Sequence, residues 1–208
     1  MLATLTDEYF SDSGWMFERK LDGERCLAFK KGNNVRLLSR NRKKLNIQYP
    51  ELADALKNQM STDFIVDGEV VAFSGTVTDF SRLQGRMHVN SEAEARNSGV
   101  KVYYYIFDII HLDRYDLTGL GFRQRKNILR RTLKFDDPLR FTTHRNREGE
   151  KFHSQACKKG WEGVIAKDAS STYVHSRSRK WLKFKCVNRQ ELVIGGFTEP
   201  KGERIGFG

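Results

Sequence analysis

The sequence predicts an α+β fold built on largely antiparallel sheets, and three observations carry that reading. Short apolar or alternating runs of strand length recur along the chain: CLAFKK, NVRLLSR, FIVDGEVVAF, KVYYYIFDII, GVIAKD, WLKFKC and ELVIGGF. The stretch CLAFKKGNNVRLL turns back on itself at Gly32-Asn33-Asn34, the signature of a hairpin. Helical segments fall between the strands at irregular intervals, unlike the regular alternation of a doubly wound fold.

Taken in order, the stretch from Glu18 to Asp22 reads as extended, with Glu18, Lys20 and Asp22 on one side and Gly23 available for a sharp turn. Pro50 suits the first turn of a helix running through Leu52 and Leu56. Ser91 with Glu94 forms a capping-box pattern, and Gly99 can close that helix. A basic helix is expected from Phe122 to Leu133, and a further one ends at Gly160. From Glu191 onward the chain offers one strand and then a glycine-rich, basic end. The expected division is a main domain over 1–189 and, over 190–208, a linker with the first strand of a second domain cut short.

A chain of 208 residues is long enough to bury a substantial core. Lysine and arginine number 37 against 26 aspartates and glutamates, a net charge of +11 that points to polyanionic partners, nucleic acid first. Cys26, Cys157 and Cys186 are widely spaced, with no C-x-x-C pair to mark zinc and no secreted framework. Each is expected to be a small buried apolar residue in a reducing compartment. The start MLATLTDEYF lacks a signal-peptide pattern and no apolar run reaches membrane length, so a cytoplasmic protein without membrane contact is expected.

Several residues stand out as chemistry-bearing. Lys20, in KLDGER, is either a charged hairpin residue or a nucleophile, which requires its amine to be neutralised by burial or neighbouring cations. Asp67 and Glu69 sit two apart in a strand and share a face. Such a pair suits a divalent ion or a ribose diol, unless Asp67-Gly68 is a turn or bulge. Glu162 precedes Gly163 at a strand mouth, where a carboxylate is either exposed or a ligand for magnesium or manganese. Lys183 and Lys185 alternate with Leu182, Phe184 and Cys186, so one face is apolar and the other carries two ammonium groups that an anion would reconcile. Phe107 is either core or a stacking partner for a base.

In order, KLDGER, LLSRN, DGE, YYIFD, WEGVIAK and WLKFK resemble the motifs of the covalent nucleotidyltransferases, the ATP-dependent DNA ligases, RNA ligases and mRNA-capping enzymes. The resemblance spans 15–187. Within the family, DFSRLQGRM, WEGVIAKD and VIGGFTEPKGERIGFG are similar to the ligase domain of bacterial ligase D, the end-joining DNA ligase. It implies an ATP-grasp-like fold of two largely antiparallel sheets flanked by helices around a nucleotide cleft. It further implies that Lys20 attacks the α-phosphate of ATP and holds AMP, with Lys183 and Lys185 gripping that phosphate. Glu162 and Asp22 would place Mg2+ or Mn2+. Glu69 and Arg25 would hold the ribose, Arg40 would contact sugar or phosphate, Phe107 would stack on adenine and Glu18 would read its amine.

The implied partners are nicked double-stranded DNA, an OB-fold domain of the same longer chain, a Ku-like end-binding protein and a polymerase domain, in a bacterial cytoplasm at the nucleoid. The runs Arg40–Lys44, Arg123–Arg131 and Arg177–Lys180 are candidates for DNA backbone contacts. A family motif that orients pyrophosphate belongs to the OB domain, so weak self-adenylation is expected of 1–208 alone. RNA ligase, GTP-dependent capping enzyme and a non-catalytic DNA-binding module are the rival readings. Labelling by ATP against GTP, a nicked-DNA against nicked-RNA comparison, and the presence of a nucleophile separate them.

Overall fold

In a computed structural model that describes residues 1–186, the chain forms strands β1 (Leu2–Leu5), β2 (Trp15–Lys20), β3 (Glu24–Lys31) and β4 (Asn34–Ser39), then helix α1 (Pro50–Lys57). The long strand β5 (Asp63–Ser74) and short β6 (Val77–Thr78) precede helices α2 (Phe80–Met87) and α3 (Glu92–Asn97). Strand β7 (Val102–Leu112), β8 (Tyr115–Asp116), helix α4 (Phe122–Thr132), β9 (Leu139–Phe141), β10 (His144–Asn146), helix α5 (Gly149–Lys158), β11 (Gly163–Asp168) and β12 (Arg177–Lys185) complete it. The expected strand ELVIGGF, the domain division at 189 and the tail lie outside the described residues.

Two sheets result. One has the order β1-β12-β11-β2-β10; the other runs β4-β3-β5-β7-β8, with β6 on β5 and β9 on β7. Pairing is antiparallel except for β1 with β12 and β9 with β7. The hairpin at Gly32 closes tightly: Lys31 pairs with Asn34 and Gly32 sits at φ 56°. Helix α3 begins as the sequence predicts, Ser91 Oγ accepting from the Glu94 N–H at 3.1 Å. The Glu94 carboxylate reaches one residue further back, to the N–H of Asn90 at 2.9 Å. Helix α2 is not legible in the sequence, because Gly85 and four polar residues dilute its apolar stripe; Asp79 caps it, accepting from the Arg82 N–H at 3.0 Å.

Three apolar clusters follow from this layering. The outer face of the larger sheet packs under the helices through residues such as Leu52, Leu56, Leu83 and Leu129. The outer face of the smaller sheet packs on α5 through Phe17, Val164, Phe184, Phe152 and Ala156. Between the sheets lie Met16, Phe107, Ile110, Phe122, Tyr173 and Trp181. Phe107 and Ile110 enter that space because β7 bulges against β5. Gly68 pairs with Ile106 and Asp67 with Asp108, leaving Phe107 over; Val66 pairs with Ile109 and Ile65 with His111, leaving Ile110 over.

Two expectations are corrected. Cys157 and Cys186 are not separate apolar fillers but a disulfide joining α5 to the residue after β12; Cys26 is free and buried, as predicted. The spacing of Cys157 and Cys186 in sequence gives no hint of this, because only the packing of β12 on α5 brings them together. Within the basic run Arg123–Arg131, Arg125 and Lys126 point inward and are unavailable to DNA. They share the stripe of Phe122 and Leu129, at i, i+3, i+4 and i+7.

Arg125 is fully buried, donating to both oxygens of buried Asp108 at 2.9 Å and to the carbonyls of Leu120 and Ser171. Removing one partner strands a charge in an apolar setting. Arg125→Met is expected to lower unfolding free energy by about 3–5 kcal/mol in urea titration, and Arg125→Met with Asp108→Leu to recover much of that loss.

Candidate active site

The stretch Lys20–Arg25 leaves the smaller sheet at the end of β2 and enters the larger one at the start of β3. Gly23 permits the crossing by close approach rather than by an unusual turn: a Cβ there would lie 2.1 Å from the Val70 carbonyl oxygen. Lys20 and Arg25 therefore face one another across the gap between the sheets.

On the smaller sheet, register sets the rest. Lys20 pairs with Gly163 and Gly163 with Lys185; Glu18 pairs with Ile165 and Ile165 with Lys183. Residues in register share a face, so Glu18, Lys20, Lys183 and Lys185 form one surface across three strands. Gly163, at φ 143°, would place a Cβ 2.0 Å from the Phe184 carbonyl oxygen, so no side chain stands between Lys20 and Lys185. Lys20 Nζ forms an ion pair with Glu162. Burial, then the neighbouring charges of Lys20 and Lys185, lower the Lys183 ammonium from its ordinary value.

A cavity of about 240 Å³ lies between the sheets, and Glu18, Lys20, Arg25, Arg40, Glu69, Phe107 and Lys183 all line it. Seven residues singled out from distant parts of the sequence thus share one space. Asp22, Glu162 and Lys185 lie at its margin rather than in its lining, joined to it by the Lys20–Glu162 contact and their mutual fields. Asp67 is not free for a ribose or an ion: its oxygens accept from Arg25 Nε and Nη2 at 2.5 Å and from the Tyr173 hydroxyl at 2.7 Å. Glu69, opposite Arg25 in register, remains in the cavity. Phe107 is only 8% exposed, yet it presents its ring with Arg25 Cζ 4.6 Å and Lys167 Nζ 4.0 Å from the centroid.

Glu18 is buried, and both its oxygens are engaged, one by Lys126 and the other by Lys167 at 2.6 Å. Burial disfavours its charge, but the two lysines hold the carboxyl below its ordinary value. Lys167 is lowered to about 8 by burial, against the pull of Glu18. Neither lysine was singled out from the sequence. Lys167 carried a signal, two residues beyond Ile165 on the cavity face of β11; Lys126 carried another, a cation on an apolar helix stripe. Trp181 and Thr142 also line the cavity.

Asp22 and Glu162 fit a hard divalent ion. Burial, and next the Glu162 charge, raise the Asp22 carboxyl, a conflict that a bound Mg2+ or Mn2+ would relieve. Arg40, Arg42, Lys43 and Lys44 are exposed directly after β4, and Arg40 lines the cavity. Of the third basic run, Arg177 donates to the Ala3 carbonyl at 2.6 Å and Lys180 pairs with Asp168 at 2.9 Å.

The family described as ATP dependent DNA ligase domain matches residues 1–185. The multifunctional non-homologous end joining protein LigD of Pseudomonas aeruginosa is 36% identical over 197 residues, 93% of this chain and 23% of that protein. LigD of Mycobacterium tuberculosis is 33% identical over 194 residues, 92% of this chain and 24% of that protein. A mycobacterial DNA ligase D solved with ATP and MES superposes with a TM-score of 0.74 at 30% identity, over 96% of this chain and 64% of that one. The chain thus spans about a quarter of the length of these LigD relatives.

Burial raises the Glu69 carboxyl to about 7, with Arg25 and Lys20 opposing. Its ordinary value is 4.5. A carboxyl raised on folding adds stability below its ordinary value, and that contribution is lost as pH rises through the folded value. Glu69→Gln is therefore expected to match wild type near pH 4 and to be the more stable near pH 8, read from urea midpoints at the two pH values.

Proposed function

The chain belongs to the ATP-dependent DNA ligase domain family, and from that membership we propose that residues 1–189 are an adenylation domain that loads AMP on Lys20 for transfer to nicked DNA. The observation that carries the proposal is the face shared by Lys20, Lys183 and Lys185 across β2, β11 and β12, with Phe107, Glu69 and Arg25 opposite.

In this reading adenine enters the inter-sheet cavity against Phe107, with Glu18 toward its amine. Lys126 and Lys167 hold the Glu18 carboxylate in one orientation, which preorganises the base site. Glu69 and Arg25 take the ribose, the latter fixed by its fork onto Asp67. Arg40, at the mouth, meets sugar or phosphate.

Lys183 and Lys185 then draw the α-phosphate beside Lys20 Nζ. Glu162, already in contact with that nitrogen, is placed to orient the amine and to receive its proton. The nitrogen attacks the α-phosphorus, a P–N bond forms, the bond to the bridging oxygen breaks and pyrophosphate leaves with its electron pair. Glu162 and Asp22 would hold a divalent ion whose charge, when bound, neutralises the phosphate oxygens.

AMP passes next to the 5′-phosphate of a nick, and the 3′-hydroxyl displaces it. The exposed cations Arg40, Arg42, Lys43 and Lys44 suit backbone contact, which positions a duplex without reading sequence. The end-joining names of the LigD relatives support a role in double-strand break repair.

Intact mass after incubation with ATP and manganese tests the first step. An AMP-sized increment is expected on wild type and none on Lys20→Ala, with GTP giving no increment on either. Absence of the increment on wild type would reject the reading.

A further inference from the structure

On the face of β12 opposite Lys183 and Lys185, a second cluster of chemistry-bearing groups has no part in the nucleotide site. His153 and Cys157 stand at i and i+4 on α5, so both side chains project from one side of the helix. Cys186, directly after β12, meets them there. The His153 ring nitrogen and the two sulfurs all lie within 4.8 Å of one another. Among the described residues this is the one group of three or more His, Cys, Asp or Glu side chains converging so closely.

We propose that His153, Cys157 and Cys186 form a binding site for a soft divalent ion, zinc above all, that opens when the Cys157–Cys186 disulfide is reduced. The donor set of two thiolates and one imidazole is the set zinc prefers, and one coordination position is left for water. The geometry is close to what the ion requires. A tetrahedral zinc with Zn–N near 2.05 Å and Zn–S near 2.3 Å separates nitrogen from sulfur by about 3.6 Å. His153 Nε2 already lies 3.5 Å from Cys157 Sγ. The sulfurs, bonded here, need only part to about 3.8 Å.

The imidazole is fixed for this role. Its ring packs against Tyr9 with centroids 4.0 Å apart, and Nε2 sits 3.1 Å from the Lys185 carbonyl oxygen, a hydrogen bond that metal binding replaces. The hard-oxygen pair of Asp22 and Glu162 is a separate, chemically different site.

The two states exclude one another through a balanced step. In the reduced chain each thiol loses its proton as the ion binds. Hydrogen peroxide then takes two electrons from the two thiolates and, with two protons, becomes two waters. The S–S bond forms and the ion, deprived of both sulfurs, leaves.

The test is cobalt titration of the full chain, anaerobically, in two forms of one sequence: fully reduced, and oxidised with the disulfide intact. The reduced form is expected to bind one cobalt with thiolate charge-transfer and tetrahedral visible bands, both bleached by zinc. The oxidised form, a control with the same fold, is expected to show none. His153→Ala should weaken binding by more than about tenfold, with near-ultraviolet circular dichroism confirming its fold. No bands in the reduced chain would overturn the proposal, as would equal bands in the oxidised chain or unchanged affinity in His153→Ala. None of these readouts involves nucleotide, so the outcome is independent of whether Lys20 takes AMP.

Discussion

Everything in the cleft depends on how little chain separates its two walls. Lys20 ends one sheet and Arg25 stands near the start of the other, so an ammonium group and a guanidinium are joined covalently across the gap they border. Gly23 makes the crossing possible, because the chain passes over β5 with no room for a side chain. Once that short tie is fixed, register does the remaining placement: each wall brings its functional groups forward every second residue, and the strands need only align.

Placing charges in such a gap costs free energy, and the fold meets that cost by pairing. Asp67 holds Arg25, Asp108 holds Arg125, and Glu18 holds Lys126 and Lys167. These pairs are weak contributors to net stability compared with apolar packing of the same volume. Their value is geometric. A bidentate fork leaves Arg25 one orientation against Phe107, and a carboxylate gripped from two sides cannot rotate away from the cavity.

Much of this was legible in the sequence. Strand alternation separated the lysine face of WLKFKC from its apolar face, and the structure keeps them apart, Lys185 in register with Lys20 and Phe184 in the apolar cluster with α5. The shared face of Asp67 and Glu69 was also readable, though not that Asp67 would be consumed by Arg25. The unread parts have physical reasons. The bulges that turn Phe107 and Ile110 inward leave no mark in the run YYYIFDII, where no glycine or proline signals them. The inward turn of Arg125 and Lys126 depends on carboxylates 17 and 108 residues away in sequence, which local pattern cannot supply. The Cys157–Cys186 contact likewise exists only once β12 lies on α5.

Helix α4 sets the width of the cleft. Two neighbouring residues on it reach in different directions: Arg125 to Asp108 on the larger sheet, Lys126 to Glu18 on the smaller. The helix is in effect a spacer bolted to both walls, and consecutive residues have almost no freedom to alter their separation. The walls are therefore held at a fixed distance before any ligand arrives. In the adenylation reading proposed above, a nucleotide would enter a slot already set between the walls, and part of the ordering entropy that a hinged cleft would demand at binding would be met during folding instead.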